Sequence, residues 1–407
     1  MIPIEDAYEL LDNHVQPLPV ETIALSDAVG RILAKDIKAD VSSPPHDKSV
    51  MDGFAVRSAD VAAGLKRLEV VEVVIAGDWP TRTVETGTAT KIMTGAPLPE
   101  GADAVVMVEQ TEPYSSEGKN WVTLNVDSVA PEKHVLRCGV NFKKGQSVLP
   151  QGHLVRATDI GLLAEVGADS ISARAKPTVA VLPTGNELVD CATTPGRGQI
   201  RNSNGPMLVA MAASLGLNVA DLGVGRDDPD ELRVLIEQGL EHDLLLLSGG
   251  VSAGTMDLVP GILQQLGVEQ VFHKVQVKPG KPIWFGILKR GDKRTYVFGL
   301  PGNPVSSLVG FQLFVRFAIK KMMGGGASEL ASWVGELSEP HQTRGNRPTY
   351  WPSKCVDDGS STRKFKPLVW RGSSDLFALG EAEGLIYFPA DSIEHPAGEQ
   401  VRFFPFA

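Results

Sequence analysis

Hydrophobic positions along this chain change their rhythm from region to region. Near the start Ile4, Ala7, Tyr8, Leu11 and Val15 recur at helical spacing, and Ser26 is placed to cap a second helix. From about residue 45 to 135 the texture is β-rich, in pieces such as "RLEVVEVVIAG" and "ADAVVMVEQTE" separated by Pro and Gly turns. Residues 147 to 170 turn helical again at "TDIGLLAEVG", so the β-rich block reads as an insertion into the first segment.

From Pro177 strands and helices alternate. "TVAVLPTGNEL" precedes a helix near "MLVAMAASLG", "NVADLGVGRDD" precedes one near "PDELRVLIEQGL", and "DLLLLSGG" and "RTYVFGLPGNP" each run into further helical sequence. Near-continuous apolar strands between amphipathic helices predict a parallel, doubly wound sheet. After a glycine-rich linker around 324 to 326, short strands and turns ending in "GEQVRFFPF" predict a small β domain.

Composition narrows the partners. At 407 residues the chain exceeds one compact core and should form several domains. A formal charge of −10 disfavours a sequence-blind nucleic-acid binder, so no nucleic acid is expected. The opening "MIPIEDAYELLDN" is acidic where a signal peptide would be basic, and no apolar run approaches the roughly 18 residues that span a bilayer. No membrane association and a cytoplasmic location are the expectation. Cys138, Cys191 and Cys355 are far apart and never in a CxxC pair, which predicts free buried thiols rather than disulfides or a Cys-based zinc site. The eight histidines show no HxH or HExxH spacing, so a His-ligated metal is not expected.

Three strand ends in the α/β region share one design: "TGNE" (184–187), "SGGVSAGTMD" (248–257) and "GLPGNP" (299–304). Ligands of open parallel sheets bind at the carboxyl ends of strands, so three polar glycine loops there imply one shared pocket. Gly249, Gly250 and Gly254 let backbone approach a ligand, Ser248 and Ser252 offer hydroxyl donors, Asp257 offers a cation an acceptor-only charge, and Pro301, Gly302 and Asn303 form the third loop. A plain turn with Asp257 capping a helix is the competing reading. In "HKVQVKPGKP" Lys274 and Lys278, four apart, share a face, and the Pro279–Gly280 turn aims Lys281 nearby, an arrangement suited to an oligo-anion. Taken singly it would be a solvated charged edge. Asp52 and Thr94 stand out in the β-rich block, where a turn aspartate is the commoner role for the former.

The motifs "SVMDGFAV", "IMTGAPLPEGADAVVMVEQT", "LPTGNEL", "IRNSN", "GRDDP", "LLLSGGVSAGTMD", "VKPGKP" and "GLPGNPVS" occur in an order that resembles the MoeA family, the molybdopterin molybdenumtransferases, which include the E domain of gephyrin. The resemblance runs from about residue 5 to the C-terminus and is weakest in the last eighty residues. It implies a multidomain α/β plus β fold: an elongated N-terminal domain (1–44 and 136–175), an inserted β-rich domain (45–135), a doubly wound α/β/α molybdopterin-binding domain (176–323) and a C-terminal β-barrel (324–407). It implies molybdenum cofactor biosynthesis in which molybdate is inserted into adenylylated molybdopterin, with Mg2+-dependent cleavage of the phosphoanhydride and release of AMP. A homodimer and a molybdopterin adenylyltransferase that supplies substrate are the implied partners.

Residue roles follow from matching positions. Asp52, Thr94, Glu187, Asp227 or Asp228, and Asp257 match positions that handle metal, nucleotide or molybdate, with Asp52, Glu187, Asp228 and Asp257 taken as the metal set. Lys274 and Lys278 match anion-binding lysines, and in the tail Arg347 and Ser373 are the nearest oxoanion contacts. One departure stands out: "RCGVNFKKG" places Val140 and Asn141 where the family has an acidic pair. An amide coordinates without the charge attraction of a carboxylate. Asn202 in "IRNSN" is a smaller departure, because some members have Asp there. Two alternatives compete at this point: a non-catalytic paralogue that binds or carries a molybdopterin intermediate, and, more distant, an adenylyl-transfer enzyme acting one step earlier, against which the "MDGFAV" block and the β tail argue.

Overall fold

The computed structural model describes residues 1–250, 258–326, 331–357, 359 and 361–406. Two compact units emerge, one of residues 1–34, 152–156 and 172–407, the other of 35–151 and 157–171.

The first unit is built on a six-stranded sheet in the order Asn218–Asp221, Thr178–Pro183, Leu244–Ser248, Lys293–Leu300, Trp284–Arg290, Glu269–His273. The first four strands pair in parallel. The last two pair antiparallel, a departure from the expected all-parallel sheet. Its cause is connection length: only Gly291 and Asp292 join Trp284–Arg290 to Lys293–Leu300. So short a link can form a hairpin but not a parallel crossover, and Gly291 takes a φ of +61° to make it.

Alternation along the strands sends successive side chains to opposite faces. Val179, Val181, Leu244, Leu246 and Phe298 pack with Leu208 and Ala212 of the helix Asn204–Ser214 and with Val309, Phe314 and Met322. Ala180, Leu182, Leu245, Leu247 and Val297 pack with Leu232 and Ile236 of Pro229–Gly239 and with Ile262 and Leu263 of Val259–Gln265. Helices thus cover both faces, and each buried leucine of "LLLLS" contributes about 1.5–3 kcal/mol. The helix Ile4–His14 buries Ile4, Ala7 and Leu11 in the first of these cores, as its spacing predicts.

The tail closes into a barrel of Trp333–Leu337, Lys364–Pro367, Thr349–Val356, Gly384–Phe388 and Gln400–Pro405. Leu337, Phe365, Ile386, Phe388, Val401 and Phe403 fill it, with Phe365 and Phe403 stacked at 4.4 Å between centroids.

The second unit carries a six-stranded mixed sheet, Ala104–Met107, Gly53–Val56, Thr88–Ile92, Arg67–Val74, Lys119–Leu124, Thr111–Ser116, over a core that includes Phe54, Leu68, Val106 and Val122. Gly53 has no alternative here, because a Cβ would lie 2.0 Å from the Val106 carbonyl oxygen.

Several expectations are corrected. The helix predicted from Ser26 is a single 3-10 turn, Leu25–Asp27, followed closely by Gly30 at φ +77°. The helix expected at "TDIGLLAEVG" forms as Asp159–Glu165, ended by Gly167 at φ +78°, whereas the wider 147–170 stretch is corrected by the strand Ser147–Leu149. Cys138 and Cys191 are exposed and Cys355 is half-buried, so these thiols are free but not buried. Among the described residues no helix is long and apolar enough to cross a membrane.

The barrel contains a pH-sensitive group. Burial and the neighbouring His395 push the His341 imidazole down to about 4, against an upward pull from Glu339. The unfolded chain takes up this proton near pH 6.5 and the folded chain resists it, so the stability contribution is complete above pH 6.5 and is lost as pH falls toward 4. Thermal unfolding should therefore show a lower Tm at pH 5 than at pH 7, and His341→Phe should shrink that difference; an unchanged difference would count against this assignment.

Candidate functional site

Register sets the site. Pro183 pairs with Ser248 and Ser248 with Leu300, so three parallel strands end level and their loops leave the sheet side by side. The Thr184 N–H donates to the Ser248 carbonyl (2.8 Å), and the Gly249 N–H to that of Leu300 (3.1 Å). The described parts of the loops meet in one cleft of about 770 Å³, lined among others by Thr184, Gly185, Glu187, Asp227, Ser248, Gly249, Gly250, Pro301, Gly302 and Asn303. Ser252, Gly254 and Asp257 lie outside the described residues.

Asn204 holds two of these loops together. It is buried at the start of its helix and its amide donates to Ser248 Oγ (2.7 Å) and to the Gly302 carbonyl (2.8 Å). Ser248, expected as a ligand donor, is 2% exposed, and its hydroxyl is directed at the Pro301 carbonyl (3.4 Å). Although it borders the cleft, its hydroxyl is engaged in holding the neighbouring loops together. The helices beginning at Asn204 and Pro304 present their N-termini to the cleft, where the helix dipoles favour an anion.

The first loop is clamped from the "GRDDP" segment. Arg226 donates to the carbonyls of Asn186 (3.2 Å) and Leu188 (2.8 Å), while the Asp227 N–H donates to Asn186 Oδ1 (3.0 Å). Of the two adjacent acids, Asp227 lines the cleft. Asp228, expected as a metal ligand, is the N-cap of Pro229–Gly239, and its Oδ1 accepts from the N–H groups of Asp230 (3.1 Å) and Glu231 (2.9 Å). Asn202 accepts from the Gly205 N–H (3.0 Å), a task its amide oxygen performs as a carboxylate would. Among the described residues no three His, Cys, Asp or Glu side chains form a cation cage. Glu187 and Asp227 are the carboxylates that line the cleft and could hold a divalent cation; Mg2+ takes one or two carboxylates and completes its shell with water and phosphate.

A second cavity, about 580 Å³, shares Pro282, Pro301 and Asn303 with the first. Its lining includes Lys278, Lys281, Arg344, Arg347, Arg371, Ser306 and Ser373, and among the described residues no Asp or Glu. Burial, then Arg344 and Arg347, lower the Lys278 pKa. A bound anion would reverse that pressure. Lys274 lines neither cavity; it sits just past the strand Glu269–His273 at φ +70°, which breaks the extended spacing on which its pairing with Lys278 rested. Arg344, Arg371 and Asn204 escaped sequence reasoning. The Arg-Gly pairs in "TRGNRP" and "WRGSSD" were the available signal for the arginines.

The second unit brings Asp52 and Thr94 together. Asp52 Oδ1 accepts from the Thr94 N–H (2.6 Å) and hydroxyl (2.8 Å), and these bonds hold its carboxyl below the usual range. Asn141 donates to Ser43 Oγ (3.1 Å), and Ser43 donates to Glu165. An aspartate at 141 would add a second carboxylate to a hydroxyl with one proton.

Comparison with known proteins adds to this geometry. The family described as MoeA N-terminal region (domain I and II) matches residues 2–167, and that described as probable molybdopterin binding domain matches residues 180–321. A molybdopterin molybdenumtransferase of Staphylococcus aureus is 38% identical, with 98% of this chain and 94% of that protein covered. Its namesake in Staphylococcus epidermidis is 37% identical over 80% of this chain and 77% of that protein. The crystal structure of the molybdopterin biosynthesis MoeA protein from Pyrococcus horikosii superimposes with a TM-score of 0.83 at 30% identity, covering 100% of this chain and 99% of that one.

The glycine loop offers a direct check on the cleft. Gly249 has φ +91°, and a Cβ there would lie 2.6 Å from the Thr184 carbonyl oxygen. Gly249→Ala should destabilise the protein by about 1–3 kcal/mol in urea unfolding. A wild-type midpoint would show that the loop relaxes freely.

Proposed function

This chain belongs to the MoeA family of molybdopterin molybdenumtransferases, and from that premise we propose how its two cavities divide the work of molybdenum cofactor biosynthesis. The enzyme inserts molybdenum into molybdopterin. In our reading the pterin arrives adenylylated, its phosphates lie against Gly249, Gly250 and the helix N-termini, and molybdate lies in the adjoining cationic cavity. The observation that carries this reading is the sharing of Pro282, Pro301 and Asn303 by a cleft with carboxylates and a cavity that, among the described residues, has five cationic side chains and no acid. Molybdate is a compact dianion, and Lys278, Lys281, Arg347, Ser306 and Ser373 offer it charge and hydroxyl donors together.

Mg2+ held by Glu187 and Asp227, with Asp257 as a further candidate, would neutralise charge on the phosphoanhydride as it breaks to release AMP. Asp227 replaces Asp228 in this set because the Asp228 carboxylate is engaged as a helix cap. Asp52 and Thr94 form a candidate polar pair in the second unit. We also carry over from the family a cytoplasmic homodimer supplied by a molybdopterin adenylyltransferase.

The testing experiment is AMP release from adenylylated molybdopterin by the purified protein with Mg2+, with and without molybdate, beside Asn141→Asp. Molybdate-dependent release by the natural protein, not increased in the variant, is expected, because Asn141 serves the Ser43–Glu165 contact. Tight binding without release, rescued by the aspartate, would instead mark a carrier paralogue.

Asp227→Ala and Asp228→Ala separate the two acids. The first should lower Mg2+-dependent AMP release at least tenfold with little change in Tm. Loss of the cap in the second should cost about 1 kcal/mol of stability while activity persists. The reverse pattern would return the metal role to Asp228.

A further inference from the structure

The cationic cavity has a mechanical problem. Lys278, Arg344 and Arg347 are close enough to influence one another, and like charges brought together in the absence of an anion repel. Arg344 and Arg347 lie on the segment that follows the ribbon strand His341–Gln342, a piece of chain with little regular structure of its own. The Lys278 turn holds its Arg347 end, through the Arg347 guanidinium to the Val277 carbonyl (3.1 Å) and the Lys278 N–H to the Pro348 carbonyl (2.9 Å), so the Arg344 end needs a support of its own.

What lies behind it is a chain of rings. His341 and His395 face each other across an antiparallel two-residue ribbon. The His341 ring stacks on Phe388 at 5.0 Å and stands edge-on to Trp351 at 4.3 Å; the His395 ring lies 4.5 Å from Phe388. Trp351 in turn stands edge-on to Trp370 at 4.9 Å, and both tryptophans line the cavity. His395 Nδ1 is 3.1 Å from Glu399, which ties the ribbon to the last turn before the final barrel strand. Nε2 of each histidine is buried without a hydrogen-bond partner among the described residues, an unfavourable arrangement for an imidazole.

The ribbon is fastened on the cavity side as well. Thr343 donates its N–H to the Ile393 carbonyl (2.9 Å) and its hydroxyl to that of Ser392 (2.9 Å). Gly345, at φ +62°, runs so close to Ile393 that a Cβ would lie 2.1 Å from its Cγ2.

We propose that the ring chain His395–Phe388–His341–Trp351, fastened through Thr343, is the positioning element of the cationic cavity, holding Arg344 and Arg347 at the spacing an oxoanion requires. His341 and His395 touch no substrate; they act through the arginines. This inference rests on the reading of that cavity as the oxoanion site.

The test is calorimetric titration of the full-length protein with sodium molybdate, and separately with AMP, for His341→Ala, His341→Phe, Thr343→Val and Arg347→Ala. His341→Ala and Thr343→Val should each weaken molybdate binding about tenfold and leave AMP binding unchanged, whereas His341→Phe, which preserves the ring contacts, should bind molybdate like the natural protein. Thr343→Val keeps the test decisive should the alanine variant fold poorly. Unchanged molybdate affinity in Thr343→Val and His341→Ala, or an equal loss of AMP affinity, would overturn the proposal. Arg347→Ala separates it from its premise: if that variant binds molybdate normally the oxoanion reading fails, and if it alone is impaired only the positioning role fails.

Discussion

The parallel register of Pro183, Ser248 and Leu300 is the constraint on which the site depends. Strands that end level release their loops at one edge of the sheet, and the bonds from Thr184 to Ser248 and from Gly249 to Leu300 carry the ladder past the last paired residues. Asn204 then joins the start of one helix to two of those loops through Ser248 and Gly302. A slip of one residue would turn the alternating leucines of Leu244–Ser248 toward the wrong cores, so the hydrophobic packing that stabilises the domain also enforces the geometry of the cleft.

Charge is partitioned as firmly as shape. The chain carries a formal net charge of −10, yet Lys278, Lys281, Arg344, Arg347 and Arg371 converge on one cavity without an acid among its described lining residues. The adjoining cleft places Glu187 and Asp227 beside glycine loops and helix N-termini. A metal-bound phosphate and a bare oxoanion make opposite demands; in the proposed reading each falls to one of these two cavities, and Asn303 belongs to both linings.

The motifs carried much of the fold and site. The opening helix, the alternating strands and the closing β domain follow from periodicity, because burial on one face or two leaves its mark directly on residue order. The glycine loops were legible for a similar reason, since positions such as Gly249 reject a side chain. Short and weakly periodic pieces were less so: the 3-10 turn Leu25–Asp27 and the strand Ser147–Leu149 contain too few residues to show a period.

Sequence by itself determined the family, the doubly wound domain and the glycine loops that border the candidate cleft, since these are written in local pattern and in ordered motifs. Tertiary structure decided which neighbour of a like pair does which task. Asp227 reaches the cleft while Asp228 caps a helix, Lys281 joins Lys278 in the cavity while Lys274 turns away, and Ser248 serves Asn204. Adjacent residues have almost the same position in sequence and different directions in space, so only the packing of distant segments, such as Arg344 and Arg371 against the Lys278 turn, can assign them.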